Sequence, residues 1–138
     1  MTTLEAIVER LQTAAPSWQY RIGFGADLMD FIQQTTIPAP TVFISVGEHT
    51  PNVDSMTEAF RYERFIEHFS IFIRRAEFSP DEAGVIYQQY LGIRDALNGY
   101  TFKTSQEGVS MNRVCAVETG TPLYEGGFAA AQLSIAVY

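Results

Sequence analysis

Two pairs of strand patterns occur with no helical segment inside either pair, and this order limits the folds open to the chain. The first pair covers residues 41–47 and roughly 60–74, and the second covers 111–118 and 128–138. Strands in direct succession pair antiparallel, whereas a doubly wound parallel sheet needs strict alternation of strands and helices. The order therefore predicts an antiparallel or mixed sheet and argues against the doubly wound class.

Local signals define the first helix and the elements that follow it. Thr2 and Glu5 form a capping box ahead of apolar residues at i, i+3, i+4 and i+7, and they predict a helix over 3–14. Alternating aromatic and polar residues over 18–24 predict a half-buried strand. A short helix is expected over 27–34, before two prolines force extended backbone.

The second long helix is expected over 79–98. Ser79 caps it, Glu82 completes a capping box, and the glycine at position 99 supplies a C-terminal stop. Two polar segments are interpreted as connections. Residues 48–57 are expected to form an exposed loop, and residues 119–127 are expected to form the turn between the last two strands.

These elements follow the order α-β-α-β-β-α-β-β, which places the chain in the α+β class. The predicted architecture is an antiparallel or mixed β-sheet of about four to five strands with two to three helices packed on one face. The 138 residues suit a single domain over 1–138.

The charge balance restricts the partners that the chain can bind. It has 9 Lys or Arg residues against 16 Asp or Glu residues, for a formal net charge of −7. Stable binding to nucleic acid needs a positive stripe that displaces counterions, and an anionic membrane also attracts basic residues. Specific nucleic-acid binding and membrane binding are therefore not expected, and no apolar run approaches the length of a membrane-spanning helix.

A search for chemistry-bearing residues yields no catalytic, cofactor-binding or metal-ligating set. Glu67 and His68 are neighbours in a predicted strand, so their side chains point to opposite faces and do not converge. Cys115 stands alone in an apolar strand, which excludes an internal disulfide and predicts a buried, unreactive thiol. Asp27 and Asp30 share one side of the short predicted helix, where capping is their ordinary role.

Five segments, spread over nearly the whole chain, together form a pattern that is found in a known class of proteins. An amphipathic helix ends near Leu11, and a long charged strand over 60–75 ends in an arginine pair. A strand ends in FISVG at 43–47, a capped helix ends in IRDALNGY at 93–100, and YEGGF at 124–128 precedes the last strand. Together they resemble the tail terminator, or tail-completion, proteins of long-tailed phages, especially the short Mu-like prophage type.

The resemblance implies a structural protein of the virion with no enzymatic activity and no cofactor. Such proteins form a hexameric ring on the head-proximal end of the tail tube, stop tube polymerisation and offer a docking face for the head–neck connector. The implied partners are further copies of the chain, the tail tube protein and the connector, with DNA passing through the lumen. The implied location is the tail or neck of a virion assembled in the host cytoplasm.

Three regions are predicted to carry contacts with neighbouring subunits or with the tube. They are the polar segment after position 47, the charged first half of the long strand and the arginine pair at its end. The last strand is also expected to leave an open edge that needs a partner or a guard. The candidate contact residues are Glu48, His49, Asn52, Asp54, Arg61, Glu63, Arg64, Glu67, Arg74 and Arg75.

Two other functions compete with the ring. One is a head–tail adaptor or neck protein of the same particle, which the sequence separates poorly from a terminator. The other is a small α+β ligand-binding protein or hydrolase with an enclosed apolar pocket and converging polar groups. Its site would be lined by Trp18, Tyr20, Phe43 and Tyr87 around Asp27 or His49.

Overall fold

Six strands and two helices make up the part of the chain that the structure, a computed structural model, describes. The described residues are 2–16, 18–23, 30, 41–51, 65–76, 80–106, 108–125 and 128–138. In chain order the elements are α1 (Thr3–Ala14), β1 (Gln19–Gly23), β2 (Thr41–Pro51), β3 (Phe65–Ala76), α2 (Pro80–Leu97), β4 (Thr101–Gln106), β5 (Val109–Glu125) and β6 (Phe128–Val137).

All six strands belong to one mixed sheet in the order β1-β2-β3-β6-β5-β4. β1 and β2 are parallel, and every other neighbouring pair is antiparallel. β5 is the longest strand, and its two halves have different partners. Its first half pairs with β4, and its second half pairs with β6. The sheet therefore ends in a β4–β5 hairpin that pairs with β6 only through the later part of β5.

The predicted α+β class, with four to five strands and two to three helices on one face, is wrong. Strands make up 60% of the described residues, and the six-stranded sheet curls into a half-barrel with two helices. The helix expected over 27–34 lies outside the described residues, except for Asp30. The excess of strand comes from one strand that the sequence did not indicate and from two strands that run past their predicted ends.

The described residues of the predicted loop (48–57) and of the predicted turn (119–127) form strands, because a neighbouring strand pairs with each of them. β2 extends through Glu48 to Pro51, where it pairs with the first residues of β3. β5 extends beyond Glu118 to Glu125, and Gly120 and Pro122 sit in register with residues of β6. Tertiary pairing thus overrides the turn preference of glycine and proline at these positions.

The first helix has the predicted bounds and the predicted cap. The backbone N–H of Glu5 donates to the Thr2 hydroxyl at 3.2 Å, and the backbone N–H of Thr2 donates to the Glu5 carboxylate at 2.9 Å. This reciprocal pair satisfies two of the donors that every helix N-terminus leaves free. Ile7 and Leu11 are fully buried on the inner face of α1.

The core lies between one face of the sheet and the two helices. Alternate residues of the central strands, such as Ile44, Ile71 and Leu133, form one buried cluster with Ile7 of α1 and Ile93 of α2. We call this the helix face of the sheet. β6 lies between β3 and β5. The expected open edge of the last strand is therefore wrong, and among the described strands the outer ones are β1 and β4.

Candidate functional site

The predicted contact residues that the structure describes meet at one end of the sheet. Glu48 lies in a one-residue bulge of β2, His49 lies just after the bulge, and Glu67 lies opposite His49 on β3. The bulge falls between Val46 and His49, where three steps along β2 match two along β3. Glu48 and His49 therefore belong to a paired strand end, whereas the sequence had placed them in a loop.

Gly47 allows the two strands to approach closely at this bulge. A Cβ atom at position 47 would lie 2.8 Å from the backbone carbonyl oxygen of His68. A carbonyl in the middle of a paired strand cannot move aside as a flexible side chain can. Position 47 is thus restricted to glycine by the neighbouring backbone, and this geometry also sets where His49 and Glu67 meet.

We expect Gly47→Ala to lower the free energy of unfolding by about 1–3 kcal/mol, since the β2–β3 pairing must shift to admit the methyl group. Gly92→Ala is the matched control, because a Cβ at that helical position has no neighbour within 4 Å. That control should be neutral or more stable by up to about 1 kcal/mol. Urea unfolding measures both variants. Equal stability of the two would contradict the close approach at Gly47.

Glu67 is the centre of a charged cluster on the helix face. Its Oε2 accepts a hydrogen bond from Arg113 Nη2 at 2.8 Å and another from the hydroxyl of Thr3. Its Oε1 lies 3.8 Å from His49 Nε2. Thr3 is the first residue of α1, so the carboxylate also faces the positive end of that helix. The cluster joins β2, β3, β5 and the start of α1.

Arg113 is the buried member of this cluster, and it is absent from the contact residues predicted from the sequence. Its side chain is 5% exposed, against 21% for Glu67. The same Nη2 atom donates to the backbone carbonyls of Phe65 and Val137, each at 3.1 Å. Arg113 therefore binds β5 to β3 and to the end of β6. An arginine directly before the apolar run Val114 to Val117 was the signal available in the sequence.

His68 belongs to a second polar group on the opposite face of the sheet. Its Nε2 lies 3.1 Å from the Thr50 hydroxyl, and its Nδ1 lies 3.5 Å from Glu118 Oε1. Glu118 is the extra residue of a bulge in β5. The expectation that Glu67 and His68 face apart is confirmed, since Glu67 contacts Arg113 and Thr3 whereas His68 contacts Thr50 and Glu118.

The remaining predicted contact residues are placed only in part. Arg74 and Arg75 lie near the end of β3, where they pair with Ala130 and Ala129 of β6, and the structure does not describe their side chains. The other candidates lie outside the described residues: Asn52, Asp54, Arg61, Glu63 and Arg64.

The four aromatic residues of the rival ligand site do not surround one cavity. Trp18 belongs to the core cluster, and the Tyr20 hydroxyl donates to the carbonyls of Leu11 and Ala15 at the end of α1. Phe43 faces away from the helices, since it alternates with Val42 and Ile44 on β2. Tyr87 is 45% exposed on α2, and Asp27 lies outside the described residues.

Cys115 is fully buried beside Val137, and burial raises the pKa of its thiol to about 12. The thiolate is the reactive form of cysteine, so the folded protein keeps this side chain inert near neutral pH. Among the described residues, no three His, Cys, Asp or Glu side chains are grouped so that they could hold a metal ion.

We expect Cys115 to react with iodoacetamide at pH 8 only when the protein unfolds. Native labelling should be at least about a hundredfold slower than labelling in 6 M guanidinium chloride, because the folded thiol is both buried and protonated. Intact mass after timed quenching measures the reaction. Labelling at a similar rate in both conditions would contradict the burial of this strand.

The raised pKa of Cys115 also predicts a pH dependence. The unfolded thiol ionises near pH 9 and the folded thiol near 12, so its contribution to stability is complete below pH 9 and is lost as the pH rises towards 12. The stability advantage of the wild type over Cys115→Ala should therefore shrink between pH 9 and 11. A difference that stays constant over that range would contradict the assigned cause.

Comparisons of the sequence with known proteins found no relative of this chain. No protein-family model matches the chain, and no curated protein matches it either. In the described part of the chain, neither helix combines the length and apolar character that crossing a membrane requires.

Proposed function

We propose that this chain is a structural protein of a phage virion that caps the head-proximal end of the tail tube. Copies of the chain assemble into a ring, most simply a hexamer, that stops tube polymerisation. The ring then offers the docking face for the head–neck connector while DNA passes through its lumen. The chain carries no enzymatic activity and no cofactor in this role.

The arrangement of the sheet carries the proposal. The two outer strands, β1 and β4, differ in sequence and run in the same direction, since four antiparallel steps separate β2 from β4 and β1 is parallel to β2. A ring requires head-to-tail contacts, in which one patch of each copy meets a different patch of the next. A sheet with two unlike outer strands in the same direction suits such contacts.

The polar and thiol groups of the chain give further support, because they contact other residues of the same fold. Arg113 and Thr3 both donate hydrogen bonds to Glu67, and Cys115 is buried in the core. These groups hold the fold together and are not arranged around an enclosed cavity. The resemblance of segments across the chain to tail terminator proteins is the third line of support. It favours the tail tube over other large assemblies as the structure that the ring caps.

Native mass spectrometry and negative-stain imaging test the proposal directly. The account predicts a six-fold ring of about 92 kDa, six copies at 15.4 kDa each, either free or at the ends of tail tubes. A chain that stays monomeric when mixed with the tubes of its own phage would contradict it. Binding to the isolated connector without binding to tubes would instead identify a head–tail adaptor.

A further inference from the structure

We propose that β4 of one copy pairs with β1 of the next copy as a parallel strand, so that one sheet continues through neighbouring copies. The inference deepens the proposed ring and rests on it, since a ring needs some contact of this head-to-tail kind. The occupant of the β4 edge is therefore a second copy of this chain. Strand direction, the outer backbone groups of β4 and the exposed side chain of Ile22 on β1 carry the argument.

Strand direction makes this pairing geometrically simple. β1 and β4 begin and end the order of strands in the described residues, and they run in the same direction. A neighbour related by rotation about an axis along the strands therefore places its β1 beside β4 as a parallel strand. The helix faces of both copies then lie on the same side of the continued sheet. Repetition of this contact gives a ring where the rotation closes.

The outer side of β4 presents a regular row of backbone groups. β4 pairs with β5 without a register shift, and the backbone N–H of Cys115 donates to the Tyr100 carbonyl. Antiparallel pairs alternate between bonded and non-bonded positions, so Thr101, Lys103 and Ser105 direct their N–H and C=O groups away from β5. The strand thus offers the template that edge pairing requires, without a proline or a bulge to blunt it.

Lys103, the only lysine of the chain, selects against one way of using this edge. Two β4 strands related by a two-fold axis would pair antiparallel, with residues of the same face opposite each other. Lys103 would then face its own copy or lie close to it, and like charges in opposite positions are destabilising. Symmetric dimers through β4 are therefore disfavoured at the registers that bring the two lysines together.

Ile22 supplies the apolar side of the proposed contact. It shares the helix face with its buried partner Ile44, yet it is 51% exposed at the β1 edge. On β4, Phe102 lies on the same face as Arg113 and stacks on Tyr100 with ring centroids 5.3 Å apart. In the continued sheet Phe102 of one copy packs beside Ile22 of the next copy. The pairing therefore buries a large apolar side chain that the isolated chain exposes.

Two substitutions of Lys103 distinguish the effect of its backbone N–H on association from the effect of its side chain. The N–H of residue 103 points outward, so Lys103→Pro removes a donor from the edge and leaves the bonds between β4 and β5 in place. Lys103→Ala loses the same side chain and keeps the donor. We expect the proline variant to weaken self-association at least about tenfold relative to the alanine variant. Native mass spectra across a dilution series measure association, and thermal unfolding confirms that both variants fold.

A second pair of variants tests the β1 side of the contact. Ile22→Asp should weaken association at least about tenfold, while Tyr87→Asp, an equally exposed position on α2, should leave it unchanged. Rings of normal mass and stability from both Lys103→Pro and Ile22→Asp would overturn the strand pairing and leave the proposed ring intact. A wild-type chain that remains monomeric with tail tubes would overturn both.

Discussion

Arg113→Met is expected to lower the free energy of unfolding by about 3–5 kcal/mol, the usual cost of breaking a buried ion pair by removing one partner. The substitution keeps a long side chain in the strand but leaves the Glu67 carboxylate without its cation. It also removes the donor that the carbonyls of Phe65 and Val137 share. Urea unfolding measures the loss. Arg94→Met is the control, since that arginine is 42% exposed and should change stability by less than about 0.5 kcal/mol.

A double variant shows whether the loss comes from the pair. Glu67→Leu combined with Arg113→Met removes both charges, so no unpaired carboxylate remains near the core. We expect the double variant to be more stable than the sum of the two single changes predicts, with a coupling free energy of at least about 1.5 kcal/mol. Strictly additive effects would contradict a direct interaction between the two side chains.

Gly120→Ala is expected to cost about 2 kcal/mol, because α2 lies directly over this position of β5. A Cβ at position 120 would lie 2.1 Å from the hydroxyl oxygen of Tyr90, a residue that is 6% exposed, and 3.0 Å from Leu133 Cδ2. The tyrosine ring must move for the methyl group to enter. The change should therefore appear in the melting temperature and in the near-ultraviolet circular dichroism of the aromatic residues.

Removal of the Tyr90 hydroxyl should partly relieve this collision. Tyr90→Phe alone is expected to cost less than about 1 kcal/mol. In combination with Gly120→Ala it should recover part of the lost stability, since the nearest atom to the new Cβ is then absent. A double variant as unstable as the sum of its parts would contradict the packing of α2 against β5.

The parts of the fold that the sequence predicted are those with local causes. α1 has the predicted bounds because the capping box of Thr2 and Glu5 and the apolar spacing act within one helix. α2 was expected over 79–98 and is observed from Pro80 to Leu97 for the same reason. The paired centres of β2, β3, β5 and β6 also lie within the predicted strands, since their apolar residues mark buried faces.

The errors lie where distant partners decide the structure. β4 has one aromatic residue among polar ones and gives no strong strand pattern, and it forms because β5 lies beside it. Gly120 resembles a turn residue, but its small size is used to admit Tyr90. The order of strands depends on contacts far apart in sequence. The central position of β6 was therefore missed, and the prediction of an open edge was attached to the wrong strand.

The sequence predicted only some residues of the candidate site. His49 and Glu67 were predicted as contact residues in two separate segments, and the structure brings His49 Nε2 to 3.8 Å from Glu67 Oε1. The sequence could not indicate Arg113 or Thr3 as partners of Glu67, because these residues come from β5 and from the start of α1. A charged residue in a strand does not reveal whether its partner is a neighbouring copy or another strand of its own chain.

Polymerisation of the tail tube protein with and without this chain tests the proposed function most directly. Electron microscopy of the products gives the length of the tubes and the appearance of their ends. The proposed role predicts that tubes stop growing once the chain is added and that one end carries a six-fold ring. Tubes that continue to grow at both ends, with no ring attached to either, would contradict it.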